Sequence, residues 1–146
     1  FFDHQKKLSC ISSGMHLVRI LTAESQKNKS IYYLLENFYE LLKKDNWIKD
    51  YIFWELELMK LIGYDLDFKD LVNKITTGDQ LQYISKSKVE KKIVPNFLID
   101  KTQNPVDLNT LLNGLKLVGD YLDKTILGPN NLTQPISRLN FINSLK

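Results

Sequence analysis

The sequence predicts a mainly α-helical fold: a compact bundle of about six helices with a small β-like insert near residues 81–93. Apolar residues recur at helical spacing over most of the chain, and in one stretch they cover nearly every side of the helical wheel. Only one short stretch alternates between apolar and polar residues, which is the pattern of a half-buried strand. The sequence contains neither an internal repeat nor a low-complexity tract.

The first two predicted helices lie in the N-terminal third of the chain. Residues 8–24 carry apolar side chains at helical spacing, and the polar run at 26–29 interrupts this pattern. A second helix follows at about 30–44, where Ser30 or Asn28 can cap its first turn. Its apolar residues form one stripe, so we expect this helix to pack against a neighbour through that face.

The third predicted helix, at about 46–62, is the most apolar segment. A helix that is apolar almost all round is one that other elements contact from several directions. We therefore expect Trp47, Trp54 and Leu58, which share one face, to lie in the core. Gly63 then ends the helix, because glycine is best suited to the left-handed position after a helix.

The next segment is predicted to be a short helix at 67–75, capped by Asp67. Residues 81–85 alternate as a strand does, and 89–93 can pair back as the second arm of a hairpin. Residues 67–93 contain no metal-ligand pattern, so apolar packing must hold them in place.

Two helices complete the chain. Asp107 is predicted to cap a long helix at 108–126, and the run at 128–131 is a strong helix stop. Thr133 is predicted to cap the last helix, with Pro135 in its first turn, where proline is tolerated.

Length and composition limit the classes of protein to which the chain can belong. We expect residues 1–146 to form a single helical domain, and the start at Phe1 without an initiator methionine indicates a fragment of a longer protein. The net charge of +3 permits nucleic-acid or acidic-peptide partners without requiring them. No run approaches the roughly 18 apolar residues of a membrane span. The single cysteine, Cys10, favours a reducing compartment.

Three segments together resemble a known family, the bacterial recombination mediator RecO, in its C-terminal helical domain. The central helix and the turn after it read Tyr51-x-x-Trp54-Glu55-Leu56-x-Leu58-Met59-x-x-Ile62-Gly63-Tyr64, followed by Leu66-Asp67-Phe68. Later segments, which resemble the family's short strand and its penultimate helix, read Leu81-x-Tyr83-Ile84-Ser85 and Leu111-Leu112-x-Gly114-Leu115-x-Leu117-x-Gly119-x-Tyr121-Leu122. The resemblance covers the chain from about Leu17 to Arg138.

The resemblance implies a function in recombinational DNA repair in the bacterial cytoplasm. The whole protein would bind single-stranded-DNA-binding protein through its acidic tail, partner RecR, bind DNA, help load RecA and anneal complementary strands. Proteins of this family begin with an OB-fold domain, and nothing in this chain resembles one. We therefore expect the chain to supply partner binding, with weak single-stranded DNA contact. The alternative is a generic helical protein-interaction domain of another bacterial protein.

Neither a metal site nor an active site is predicted. Many relatives place four zinc-binding cysteines after the glycine-aromatic turn, but here Leu71 stands where the first would fall and no CxxC exists. Cys10 and His16 point to different faces of one helix, and no third group orients a base. We expect no cofactor and no enzymatic activity, since a small helical hydrolase would need a pocket with perturbed carboxylates. Glu55 is expected to be a structural acid bonded to a backbone amide or a lysine.

The predicted DNA-binding residues are Lys86, Lys88, Lys91 and Lys92, the densest basic cluster, which Tyr83 precedes. The alternative is that these lysines are only solvated surface. The remaining basic positions are a weaker patch of Lys43, Lys44 and Lys49, and the isolated Arg138. For a peptide partner, a groove between helices rimmed by lysines would suit an acidic tail with a hydrophobic tip.

Overall fold

The computed structural model describes residues 2–22, 29–86 and 92–146, and it confirms the predicted fold class. Among the described residues, six α-helices surround one core and a small antiparallel sheet is inserted between the fourth and fifth. The elements are α1 Phe2–Leu21, α2 Lys29–Leu41, α3 Trp47–Leu61, α4 Phe68–Leu71, β1 Val72–Thr77, β2 Gln80–Ser85, β3 Ile93–Val94, α5 Leu108–Leu122 and α6 Ile136–Ser144. Within these ranges no helix is both long and apolar enough to cross a membrane.

Helix α3 lies at the centre of the core, as the sequence predicts. Trp47, Trp54 and Leu58 are all buried. The Trp54 ring stacks on Tyr51 and meets Phe38 of α2 edge-on, with a centroid separation of 4.7 Å from Phe38. Aromatic pairs at such distances add stabilisation beyond their buried area. The contact between α2 and α3 is therefore built around aromatic rings.

Helix α3 ends in the predicted way. Gly63 has a φ of +103°, and its N–H donates to the Lys60 carbonyl at 3.0 Å. The N–H of Tyr64 donates to the Met59 carbonyl at 2.9 Å. These two bonds form a Schellman motif, which satisfies carbonyls that the helix end leaves free.

The predicted helix at 67–75 is wrong beyond Leu71. Asp67 does cap α4 by accepting a hydrogen bond from the Lys69 N–H at 3.1 Å, but Val72–Thr77 is strand β1. This stretch is rich in β-branched residues, which favour strands. Strand β1 pairs antiparallel with β2 over its whole length, through a two-residue turn in which Gly78 has a φ of +62°. The β insert therefore begins at Val72, earlier than predicted.

The sheet has the order β1-β2-β3. The strand predicted at 81–85 is confirmed within β2, and Ile93 pairs with Ile84 as the second arm of a hairpin does. The remainder of the predicted arm, at 89–91, lies outside the described residues.

Several helix boundaries differ from the prediction, and α2 ends at Leu41 rather than near residue 44. Helix α1 begins at Phe2 rather than near residue 8. Helix α5, which Asp107 caps as predicted by accepting from the Thr110 N–H, is α-helical only to Leu122 and continues as a wider turn of π-helix over Asp123–Leu127. Helix α6 has Pro135 at its N-cap position, so Thr133 is not its cap.

Candidate functional site

A large surface groove lies between helices α2 and α3. It encloses about 700 Å³ and is open along one side. Its floor is apolar and is formed by Leu34, Leu41, Phe53 and Trp54. The indole N–H of Trp54 donates to the Leu34 carbonyl at 2.9 Å, which fixes the ring in the floor. A groove of this size and composition can take a large apolar side chain of a partner.

The rim of this groove carries charges of both signs. Lys44 and Lys60 line it together with the carboxylates of Glu40, Asp50 and Glu57. Glu40 is already paired with Lys43, one position outside the lining, at 3.1 Å. The groove is therefore not rimmed by lysines alone, and an acidic partner must approach it by way of Lys44 and Lys60.

Helix α2 also presents aromatic side chains to solvent. Tyr32, Tyr33 and Tyr39 are 62%, 59% and 52% exposed. Phe38, in the same helix, is instead fully buried. The three tyrosine positions lie beside the apolar stripe of α2 rather than on it. That spacing is the sequence signal from which their exposure could have been predicted. Exposed tyrosines are enriched at protein interfaces, so this helix is a candidate contact surface.

The predicted lysine cluster is only partly described. Lys86 is exposed and follows β2, whereas Lys92 precedes β3. The Ser85 N–H donates to the Lys92 carbonyl at 2.8 Å, so the structure brings the two ends of the cluster together at one end of the sheet. The ammonium of Lys92 pairs with Asp120 of α5 at 2.7 Å. Lys88 and Lys91 lie outside the described residues.

The structure corrects the prediction for Glu55. Its partner is neither a backbone amide nor a lysine but the guanidinium of Arg138, which the sequence suggested was merely an isolated basic residue. The two Glu55 oxygens accept from Arg138 Nε at 2.9 Å and from Nη2 at 2.8 Å. Both side chains are almost fully buried, at 2% and 1% exposure. A bidentate, desolvated pair of this kind joins α6 to α3.

Further hydrogen bonds satisfy the buried guanidinium. Arg138 Nη2 also donates to the Leu115 carbonyl of α5 at 2.8 Å, and Nη1 donates to Gln134 at 2.7 Å. Gly119 leaves room for the group, because a Cβ there would lie 2.7 Å from Arg138 Nη1. Burial disfavours the charged guanidinium, but attraction to Glu55 outweighs this and raises the pKa of Arg138 above its ordinary value. The ion pair is therefore a structural link among three helices.

The nucleophile candidate is inert. Cys10 is fully buried, and burial, with the nearby Glu55 carboxylate, raises the pKa of its thiol far above the usual range. His16 bonds through Nδ1 to Ser137 Oγ at 2.6 Å rather than to a nucleophile. A protonated thiol in an apolar site is a poor nucleophile.

Apolar packing holds the β insert, as the sequence predicts. Phe68, Val72 and Val94 are buried, and the Phe68 ring meets Tyr121 of α5 at a centroid distance of 5.6 Å.

In the described part of the chain, no group of three or more histidine, cysteine, aspartate or glutamate side chains is placed to hold a metal ion.

The chain is similar to one protein family over most of its length. Residues 5–111 match the model of the family described as "Recombination protein O C terminal". A DNA repair protein RecO of Rhodospirillum centenum is 23% identical over 93% of this chain and 59% of its own length. The corresponding protein of Rickettsia akari is 27% identical over 95% of this chain and 62% of its own length. The one of Bartonella henselae is 37% identical over 61% of this chain and 40% of its own length.

The chain thus spans about two fifths to three fifths of the length of these three relatives. No solved structure matches it.

Proposed function

The chain belongs to the RecO family, and we propose that it is a non-enzymatic mediator domain in DNA repair and recombination. The observation that carries the proposal is the family match over residues 5–111, supported by relatives that are each named DNA repair protein RecO. The same match disfavours the alternative of an unrelated helical interaction domain.

In this proposal the domain acts by binding partners rather than by chemistry. The partners are single-stranded-DNA-binding protein, through its acidic tail, and RecR, with an auxiliary contact to single-stranded DNA. These contacts support RecA loading and strand annealing by the whole protein. The inert Cys10 and the structural role of Glu55 agree with a domain that carries no catalytic group of its own.

We assign the acidic tail to the groove between α2 and α3. Its apolar floor accepts the hydrophobic tip of the tail, and the exposed tyrosines of α2 extend the contact surface. Lys44 and Lys60 are the cations available to the acidic residues, and the carboxylate of Glu57 opposes them. Because the rim carries both lysines and carboxylates, the assignment can be tested with two kinds of substitution. Removing a lysine and removing a carboxylate should change the affinity for the tail in opposite directions.

We predict that Lys44→Glu and Lys60→Glu each weaken binding of the tail peptide by roughly two- to fivefold, the range of exposed charge pairs. Glu57→Gln is expected to tighten binding by a similar factor, because it removes a like charge from the rim. Fluorescence anisotropy of a labelled tail peptide measures both effects. Lys146→Ala, at the end of the chain, is the control. Equal affinities for all these variants would contradict the assignment to the groove.

We also predict weak, charge-driven binding of single-stranded DNA through Lys86, Lys88, Lys91 and Lys92. Four lysines that neutralise phosphates give a log–log salt slope of at most roughly −3 on single strands. The fourfold Lys→Ala variant should flatten that slope and leave the helical circular dichroism intact. Because Lys92 pairs with Asp120, Lys92→Ala is measured separately. A slope unchanged in the fourfold variant would show that the cluster is only solvated surface.

A further inference from the structure

A second cavity, on the side of the sheet near α5, is lined by uncharged polar groups. It encloses about 550 Å³ between β2, the chain from β3 to Asn96, and the first turns of α5. The polar side chains that line it are Gln80, Gln82, Asn96, Gln103, Thr110 and Asn113. Among the residues that the structure describes, none that lines the cavity is charged. The cavity is therefore suited to a neutral ligand that both donates and accepts hydrogen bonds, not to a bare phosphate or a metal ion.

Most of these amides are available to a ligand. The Asn96 side chain is fixed, because its Nδ2 donates to the Leu81 carbonyl at 2.9 Å. The side-chain amides of Gln82 and Asn113 make no hydrogen bond to any residue in the described ranges, and both are exposed. Each amide offers two donors and one acceptor oxygen in a plane. Planar amides of this kind pair with the edges of nucleobases, which present donors and acceptors side by side.

One apolar side chain of the cavity suits the flat face of a base. Ile93 is 65% exposed, whereas Pro95, in the same lining, is buried. An exposed apolar side chain can cover one face of a base that has left its stack. No aromatic ring of a described residue lines the cavity, so the amides must supply most of the selectivity for a base over other flat groups.

A lysine lies on the same side of α5 as the cavity. Lys116 follows Asn113 by one helical turn and is exposed, so it lies on the same side of α5. It makes no ion pair within the described part of the chain. Asp120, the next acidic residue on this side of α5, is paired with Lys92 at 2.7 Å and so does not compete for Lys116.

From this arrangement we propose that the cavity binds one unstacked base of a single-stranded nucleic acid, with Lys116 contacting the adjacent phosphate. The inference rests on the proposed DNA contact and extends it from the lysine cluster to a site that reads a base. Phosphate contacts position a strand, whereas contacts to base edges distinguish a base from its absence.

The test compares a 12-nucleotide single strand with an abasic strand of the same length, which keeps the phosphates and lacks the bases. Gln82→Leu and Asn113→Leu remove the amides at similar volume, and Asn140→Leu, on an exposed position of α6, is the matched control. Wild type should prefer the base-containing strand by roughly five- to tenfold. The two cavity variants should lose this preference, retain the abasic affinity and keep the wild-type salt slope.

Lys116→Ala should behave differently. It should weaken both strands alike and reduce the salt slope by about 0.7, because one phosphate contact is lost. If wild type binds both strands equally, or if the cavity variants keep the preference, the base site is refuted while the lysine-cluster contact stands. If wild type binds neither strand, both are refuted. Cavity variants that impair the tail peptide but not DNA would assign the cavity to a peptide and overturn the inference.

Discussion

Replacing Arg138 by Met is expected to lower the free energy of unfolding by about 3–5 kcal/mol. The substitution leaves the carboxylate of Glu55, which is 2% exposed, buried without its bidentate partner. It also leaves the Leu115 carbonyl and Gln134 without the donors that Arg138 supplies. Urea unfolding followed by circular dichroism measures the loss. A decrease below about 1 kcal/mol would show that the pair is not buried as described.

The double variant Glu55→Leu/Arg138→Met separates two contributions to the free energy of unfolding. One is the net contribution of the ion pair, and the other is the penalty for burying an unpaired carboxylate. Replacing both partners of a buried pair by apolar residues is often neutral or stabilising. We therefore expect the double variant to be more stable than Arg138→Met alone. If the double variant is the less stable of the two, the loss comes from damaged packing of α6 and not from the unpaired carboxylate.

The second large effect is expected for Trp54→Ala, at about 3–5 kcal/mol. The substitution opens a cavity between α2 and α3, where the ring lies 4.7 Å from Phe38 between centroids. It also removes the donor to the Leu34 carbonyl. Tyr39→Ala, on the exposed face of α2, is the control and should stay within about 0.5 kcal/mol of wild type. A loss under about 1 kcal/mol for Trp54→Ala would place the ring at the surface.

Local signals in the sequence predicted most of the helical fold. The all-round apolar pattern identified α3 as the centre, and Gly63 and Asp107 marked helix ends that the structure confirms. These features act over one or two helical turns, so a single sequence contains them in full. The fold class follows from such features because they mark α3 and α5, two of the long helices that the structure describes.

Strand β1 was missed because a distant partner decides its structure. Phe68, Leu71, Val72 and Ile75 recur at helical spacing, which is why a helix was predicted over 67–75. The β-branched residues after Leu71 favour a strand, and pairing with β2 stabilises it. Helix spacing and strand propensity conflict in this segment, and only the tertiary pairing resolves the conflict.

The link between Glu55 and Arg138 was also beyond prediction. The two residues are separated by 83 positions, and no periodicity connects them. Gly119, where a Cβ would lie 2.7 Å from Arg138 Nη1, carries no sequence signal that points to an arginine. From the sequence, we considered a groove between helices that is rimmed by lysines. The carboxylates on the observed rim depend on which faces of α2 and α3 meet, and the sequence does not determine this.

The most direct test of the groove assignment uses the two tryptophans of the chain as internal probes. The Trp54 indole lies in the floor of the groove, whereas the Trp47 indole donates to Asp3 of α1 at 3.1 Å and does not line it. A ¹H–¹⁵N spectrum of the chain, titrated with the acidic tail peptide, resolves one indole resonance from each. We predict that the Trp54 resonance shifts on binding and that the Trp47 resonance does not. Saturable binding that leaves Trp54 unmoved, or moves only Trp47, would contradict the assignment of the partner to this groove.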